Sequence, residues 1–216
     1  MAKKQRLDKA IAMQGSLSRS EVKTLIRKGA VTVNGQVVKN ADFGVDFDSD
    51  TVAVQGKELS LSMHIYLMLN KPKGVVSASE DKKLPTVVDL VPKELWRKGL
   101  FPAGRLDKDT TGFVLITDDG EFAHDILSPK KHISKTYHAL VNGTITDEMV
   151  EGFAKGVTIG EDFTLPASLK KISSEEQGDW GEVILKEGMY HQIKRMLGAY
   201  GLKVLELNRV QMGKLP

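Results

Sequence analysis

Apolar positions in residues 1–60 change period twice. Leu7, Ala10 and Ile11 recur at helical spacing and give a first helix a narrow apolar face. Ser18 opens a second helix with Glu21 three residues on, the spacing of a capping box, and Val22, Leu25 and Ile26 form its buried stripe. Gly29 ends it. The period then drops to two in VTVNGQVV, a strand pair turning at Asn34-Gly35, the dipeptide of tight hairpins. Asp42, Asp46, Asp48 and Asp50 mark a turn-rich stretch before a further alternating run, TVAV. The pattern predicts a compact α/β unit over residues 1–60, with SLSMH as the linker.

Residues 61–216 alternate strands and helices irregularly. IYLML reads as a strand entering the NKPKG turn, and VVSAS continues as strand beyond it. FVLIT is a continuous apolar strand stopped by Asp118, Asp119 and Gly120. Glu121 to Leu127 is a short helix ended by Ser128-Pro129. Thr146 caps a helix whose first turn holds Asp147 and Glu148, favourable at the positive end of the dipole. Ser168 to Ile172 and Glu182 to Leu185 predict strands, YHQIKRMLGAY a helix, and KVLELNRV a final strand. Without regular βαβ spacing, the prediction is an α+β protein whose second domain has a largely antiparallel mixed sheet with flanking helices.

Composition narrows the chemistry. No apolar run is long enough to cross a bilayer, and the start, MAKKQRLDKAIA, lacks the apolar core of a signal peptide, so a cytoplasmic protein is expected. With no cysteine there is no disulfide framework, thiolate metal site or cysteine nucleophile. The net charge is only +3, but up to Lys39 the chain sets nine basic side chains against Asp8 and Glu21. Such a block is either a solvated helical surface or a footprint for a polyanion. Arg6, Lys9, Arg19, Lys23, Arg27 and Lys28 are its candidate RNA-binding residues, and Arg19, Lys23 and Arg27 fall on one side of the second helix.

Among chemical motifs, a Walker loop, GxGxxG, HExxH and GxSxG are all missing, and His132 and His138 do not suggest a metal site. The informative stretch is PAGRLDKDTTGFVLITDDG, which packs Arg105, Asp107 and Asp109 into a glycine-bearing turn before a buried strand. On the residues alone two readings stand: carboxylates set out for chemistry, or Asx-type turns bonding backbone amides.

This stretch resembles motif II of the pseudouridine synthases, specifically the RsuA-like family acting on ribosomal small-subunit RNA. NKPKG resembles motif I, SPKKHISKTY the segment downstream of motif II, and EGMYHQIKRMLGAYG motif III. Residues 5–50 resemble the S4-like RNA-binding domain that precedes catalysis in that family. The resemblance implies Asp107 as the catalytic carboxylate, attacking C1′ or taking the C2′ proton of a flipped-out uridine. It implies that Arg105 fills the vacated stack, Tyr137 packs on the uracil, Ile193 walls it and Lys194 pairs with Asp107. His191, Gln192 and Arg195 are left between RNA contact and helix packing.

The domains so implied are an S4-like RNA-binding domain over 1–60 and a catalytic domain over 61–216. Isomerisation is redox-neutral, so no cofactor and no metal is expected. The expected partner is ribosomal RNA, small-subunit RNA or its assembly intermediate, met by a monomer away from membranes. Family members usually continue beyond NRVQMGKLP, implying a short member or a truncated carboxyl end. Three alternatives remain in view: a synthase acting on a 23S rRNA uridine, a non-catalytic S4-type RNA-binding protein, and a glycoside hydrolase using Asp107 and Asp109 as paired carboxylates. The last is disfavoured by an aromatic content of only 6%.

Overall fold

The computed structural model describes residues 4–15, 17–128, 131 and 133–215. Lys3, Pro129 (expected to end a helix) and His132 lie outside them. Packing divides the chain into two compact units. One comprises Met1–Tyr66, Leu90–Phe101 and Thr117–Asp119; the other comprises Leu67–Asp89, Pro102–Ile116 and Gly120–Pro216.

The first unit begins with β1 (Gln5–Arg6), α1 (Leu7–Met13) and α2 (Arg19–Arg27). Strands β2 (Val31–Val33), β3 (Gln36–Val37), β4 (Gly44–Val45), β5 (Val52–Val54) and β6 (Lys57–Leu59) follow. The order β3-β2-β5-β6 is antiparallel throughout, and β1 pairs with β4. Asn34 and Gly35 take φ of 50° and 78°, as the hairpin turn requires. Ser18 and Glu21 make both halves of the capping box. Leu7, Ile11, Val22, Ile26, Val31, Val45 and Val52 make the core. The aspartate-rich stretch is hydrogen-bonded rather than idle: Asp50 accepts from Asp46 N and from Asn34 Nδ2, each at 2.9 Å.

The residues read as a linker are tied down within this unit. Arg97, only 6% exposed, donates to Ser62 O (3.2 Å), Asp118 Oδ2 (3.3 Å) and Gln14 Oε1 (3.1 Å). These bonds join three segments far apart in sequence.

The second unit is built on a seven-stranded sheet. Its elements are β7 (Tyr66–Lys71), β8 (Phe101–Ala103), β9 (Thr111–Thr117), α3 (Gly120–Leu127), β10 (Lys135–Val141), α4 (Asp147–Lys155), β11 (Thr158–Ile159), β12 (Asp162–Phe163), β13 (Ser168–Glu175), β14 (Gly178–Leu185), α5 (Gln192–Gly198) and β15 (Val204–Met212). The order is β13-β14-β10-β15-β9-β7, with β8 also on β9 and β11 paired with β12 apart from the sheet. The pairs from β13 to β15 are antiparallel, whereas β15–β9 is parallel. This is the mixed α+β sheet expected, with the last strand in its interior.

Two elements depart from expectation. VVSAS does not run on as a strand: only Val76 makes a bridge, to Thr86. The Ser77 side chain goes instead to the loop before β9, where its Oγ both donates to Leu106 O and accepts from Leu106 N at 3.0 Å. The helix expected over YHQIKRMLGAY starts only at Gln192 because His191 is left-handed, φ 49° and ψ 34°, a conformation that cannot continue an α-helix.

Candidate active site

The loop between β8 and β9 carries GRLDKDTTG and is pinned from beneath. Thr110 N donates to Asp107 O at 3.1 Å, closing a turn over Asp107–Thr110. Lys71, fully buried, gives its three ammonium hydrogens three backbone acceptors: Val75 O (2.8 Å), Pro72 O (3.0 Å) and Lys108 O (3.2 Å). Burial pushes the Lys71 pKa down, while the charges of Asp109 and Asp107 oppose that fall. Gly74 N also donates to Lys108 O, at 2.9 Å. The NKPKG turn is thus a brace for the loop. Gly112 admits the strand at its far end: a Cβ there would lie 2.2 Å from Arg209 O, and its φ is +102°.

Across the cleft, the segment leading into α5 is fixed by a fully satisfied glutamine. Gln192 Oε1 accepts from Met189 N at 2.9 Å, and Nε2 donates to Glu187 Oε1 at 2.6 Å. Arg195 donates to Ile159 O and meets Asp162 at 3.4 Å. Gln192 and Arg195 therefore direct these groups into the fold. His191 does not: its Nε2 lies 3.4 Å from Asp107 Oδ1, and its ring stacks on exposed Tyr190 with centroids 3.8 Å apart.

Lys194, on the first turn of α5, reaches Asp107 Oδ2 at 3.1 Å and Asp109 Oδ1 at 2.7 Å. The expected pair is thus a triad in which one ammonium bridges two carboxylates. Burial alone would lower the Lys194 pKa, but the bonds and charges of Asp109 and Asp107 outweigh it and leave the pKa raised. The hydrogen bond from Lys194 holds Asp109 below the usual carboxylate range. Asp107 and Lys194 side chains are 29% and 24% exposed, while Asp109 is 70% exposed.

A cleft of about 480 Å³ opens beside Asp107. Tyr137 and Ile193 line it, each at most 9% exposed, together with Leu185 and Leu207. Tyr137 follows a register shift between β10 and β15, an irregularity of the kind that re-aims a side chain. Arg105 lies exposed on the same cleft. All five residues expected in the catalytic half are therefore brought together. Sequence reasoning missed the bracing by Lys71 and Ser77 and the sharing of Lys194 by Asp109. The NKPKG motif was the available signal for the first; the second had none.

The basic block of the first unit is not a plain charged face. Asp8 is fully buried, and Arg6, Arg19 and Lys23 converge on its carboxylate at 3.1, 3.2 and 3.8 Å. Burial pushes the Asp8 pKa up, but hydrogen bonds and charge from Arg6 and Arg19 outweigh it and bring it down to about 2. Each of the three cations keeps roughly half its side chain in solvent. Lys9, Arg27 and Lys28 are exposed. Among the described residues, no group of three or more histidine, aspartate or glutamate side chains is arranged to hold a metal ion, and no helix is long and apolar enough to cross a membrane.

Comparison with known proteins gives a consistent picture. Residues 65–199 match a family model described as RNA pseudouridylate synthase, and residues 5–52 match the S4 domain. An uncharacterized RNA pseudouridine synthase of Bacillus subtilis is 43% identical over 211 residues, covering 97% of this chain and 88% of that protein. Ribosomal small subunit pseudouridine synthase A of Escherichia coli is 42% identical over 213 residues, covering 96% and 89%. A crystal structure of a pseudouridylate synthase is similar at a TM-score of 0.61 and 36% identity, covering 96% of this chain and 88% of that one.

Proposed function

The chain belongs to the RNA pseudouridylate synthase family, and from that premise we propose that it isomerises one uridine of small-subunit ribosomal RNA, with Asp107 as the catalytic carboxylate. One observation carries the reading. Asp107 stands at the mouth of a cleft walled by Tyr137 and Ile193, with Lys194 on one carboxylate oxygen and His191 beside the other. A target uracil flipped from its stack would lie against Tyr137 and Ile193, so that the freed base stays in place between bond cleavage and rejoining. Arg105, exposed at the rim, would occupy the gap left in the RNA.

The net reaction breaks N1–C1′ and forms C5–C1′. The proton on C5 leaves to solvent and N1 gains one, so uridine and product are isomers and no redox partner is consumed. The carboxylate of Asp107 has two ways into that sequence, as nucleophile at C1′ or as base toward the C2′ proton. Lys194 stabilises its ionised form in either case.

The small-subunit assignment rests on the name of the Escherichia coli relative. Residues 1–60 would act as the S4-like RNA-binding domain and 61–216 as the catalytic domain of a cytoplasmic monomer. The test is tritium release from 5-tritiated uridine in 16S and 23S rRNA transcripts and in assembly intermediates. Release from 16S substrates alone, lost in Asp107→Asn, supports the reading. Release from 23S rRNA moves the substrate to the large subunit, and release from none leaves an RNA-binding protein without this activity.

A further inference from the structure

A second cavity, of about 820 Å³, lies wholly within the first unit. Lys9, Met13 and Arg19 line it from the helical part, Met63 and His64 from the segment after β6, and Lys98 from the 90–101 segment. We propose that this groove binds a single-stranded stretch of the RNA substrate, one unstacked base lying between Met13 and Met63 with its flanking phosphates on Lys9, Arg19 and Lys98.

Charge is the first argument. Three permanent cations face the cavity, and its one acid, Asp118, is already engaged by Arg97 at 3.3 Å and by Ile65 N at 2.9 Å. Arg19 uses Nε and Nη2 on Asp8, so its remaining nitrogen, Nη1, is not part of those bonds. The groove is therefore net positive and suits a polyanion. Its apolar lining is the second argument. Two methionines and Ala12 give the groove an apolar, polarizable lining where a phosphate site alone needs none, and methionine sulfur packs well against aromatic rings. Met63 remains 38% exposed, so this surface is open to a ligand.

The third argument is rigidity. Buried Arg97 ties Gln14, Ser62 and Asp118, one from each segment that builds the walls. A preformed groove loses little entropy on binding. Base stacking on aromatic side chains beside backbone-tracking cations is the general mode of single-strand binding and tolerates any base; here the methionines would take the aromatic platform's place. Three of the residues named, Met63, His64 and Lys98, fall outside the span matched to the S4 domain, so the groove is more than that module's helical face.

The experiment is equilibrium binding of full-length protein to a short fluorescent oligouridylate and to a blunt RNA duplex, across a salt series. Wild type should bind the oligouridylate measurably. Lys98→Ala should weaken that binding several-fold and flatten the salt dependence by about one unit of log–log slope. Met63→Ala should weaken it roughly fivefold with the slope unchanged, because its contact is not ionic. Neither should alter duplex binding, and thermal denaturation verifies that both are folded. Oligouridylate binding at wild-type affinity by both variants, or an equal loss on the duplex, overturns the proposal. Because Asp107→Asn leaves this groove intact, it should bind oligouridylate like wild type, so failure of the catalytic assignment and failure of the groove give different results.

Discussion

The two charge clusters of this molecule have opposite stoichiometry. In the first unit one buried carboxylate, Asp8, gathers three half-exposed cations. In the second, one ammonium, Lys194, is shared by Asp107 and Asp109. The first cluster ends with positive charge left over at the surface, held in fixed positions by an anion that solvent cannot reach. The second ends with negative charge left over, on oxygens facing a cleft. An excess of cations suits phosphates, whereas a carboxylate beside a shared ammonium suits a nucleophile or base that must stay ionised near a partly closed site. The lesson is that the identity of the bridging residue, anion or cation, decides what the exposed remainder of an ion cluster can do.

The largest effect should come from removing the carboxylate itself. Asp107→Asn keeps shape and size and retains the turn bond, which uses the backbone oxygen of Asp107. Single-turnover tritium release should fall by roughly four orders of magnitude or more, as when a nucleophile is deleted, with RNA binding preserved. Asp109→Asn should cost far less, because its side chain is mostly exposed. Equal losses in the two variants would mean that the pair, rather than Asp107, is the reacting unit.

Next in size is the bridging cation. Lys194→Met removes the cation that both carboxylates share, and the rate should drop by about a hundredfold. Lys194→Arg should restore much of it. The sign for Asp109 is fixed by its depressed pKa: losing the hydrogen bond from Lys194 should bring it upward to the ordinary carboxylate range, readable by carbon-13 titration of the side chain. A wild-type rate and an unmoved Asp109 in Lys194→Met would show that the bridge is ornamental.

The other cluster should show itself in stability instead of rate. Asp8 has a folded pKa near 2, below its ordinary value, so its stabilisation is fully present above the unfolded pKa and lost as pH falls through the folded one. The difference corresponds to about 2 kcal/mol. Asp8→Asn should remove that amount near neutral pH. It should also flatten the loss of stability that wild type shows between about pH 5 and pH 1. Chemical denaturation at several pH values measures both. A variant as stable as wild type at neutral pH would mean that water screens the three cations well enough alone.

How much of this was written in the sequence depended on range. The capping box at Ser18, the Asn34-Gly35 hairpin and the apolar run of β9 are local signals, and each gave its element directly. The catalytic half was legible through spaced motifs whose residues do meet: Arg105, Asp107, Tyr137, Ile193 and Lys194 all line one cleft. What stayed hidden depends on contacts that no local pattern encodes. Asp8 counted merely as an acid among bases, although its neighbours Leu7 and Ala10 already placed it beside a buried face. Lys71 and Arg97 belong to residue types seldom fully buried, and a set of carbonyls and carboxylates, some of them distant in sequence, makes their burial tolerable. VVSAS has strand-like residues but lends the Ser77 hydroxyl to the loop carrying Asp107. Long-range polar satisfaction overrode local propensity at each of these places.

The smallest effect separates cations inside the Asp8 cluster from those beside it. Arg27 follows Arg19 and Lys23 along α2 at helical spacing, yet its described bond is to Lys23 O at 3.3 Å and not to Asp8. If the whole stripe contacts phosphates, Arg27→Ala and Lys23→Ala should each reduce the slope of log affinity against log salt by about one. Their stabilities should differ, however. Arg27→Ala removes an exposed charge and should stay within about 0.5 kcal/mol of wild type. Lys23→Ala also removes a distant counter-charge to buried Asp8, 3.8 Å away, which raises the folded pKa of Asp8, so the low-pH limb of its stability curve should be shallower and end at slightly higher pH. Salt titrations of RNA binding and denaturation at two pH values read both quantities on the same preparations. An unchanged salt slope in both variants would make the stripe a solvated surface and confine RNA recognition to other parts of the chain. A slope change in Lys23→Ala alone would restrict the phosphate contacts to cations that Asp8 holds in place, which is the stronger form of the comparison.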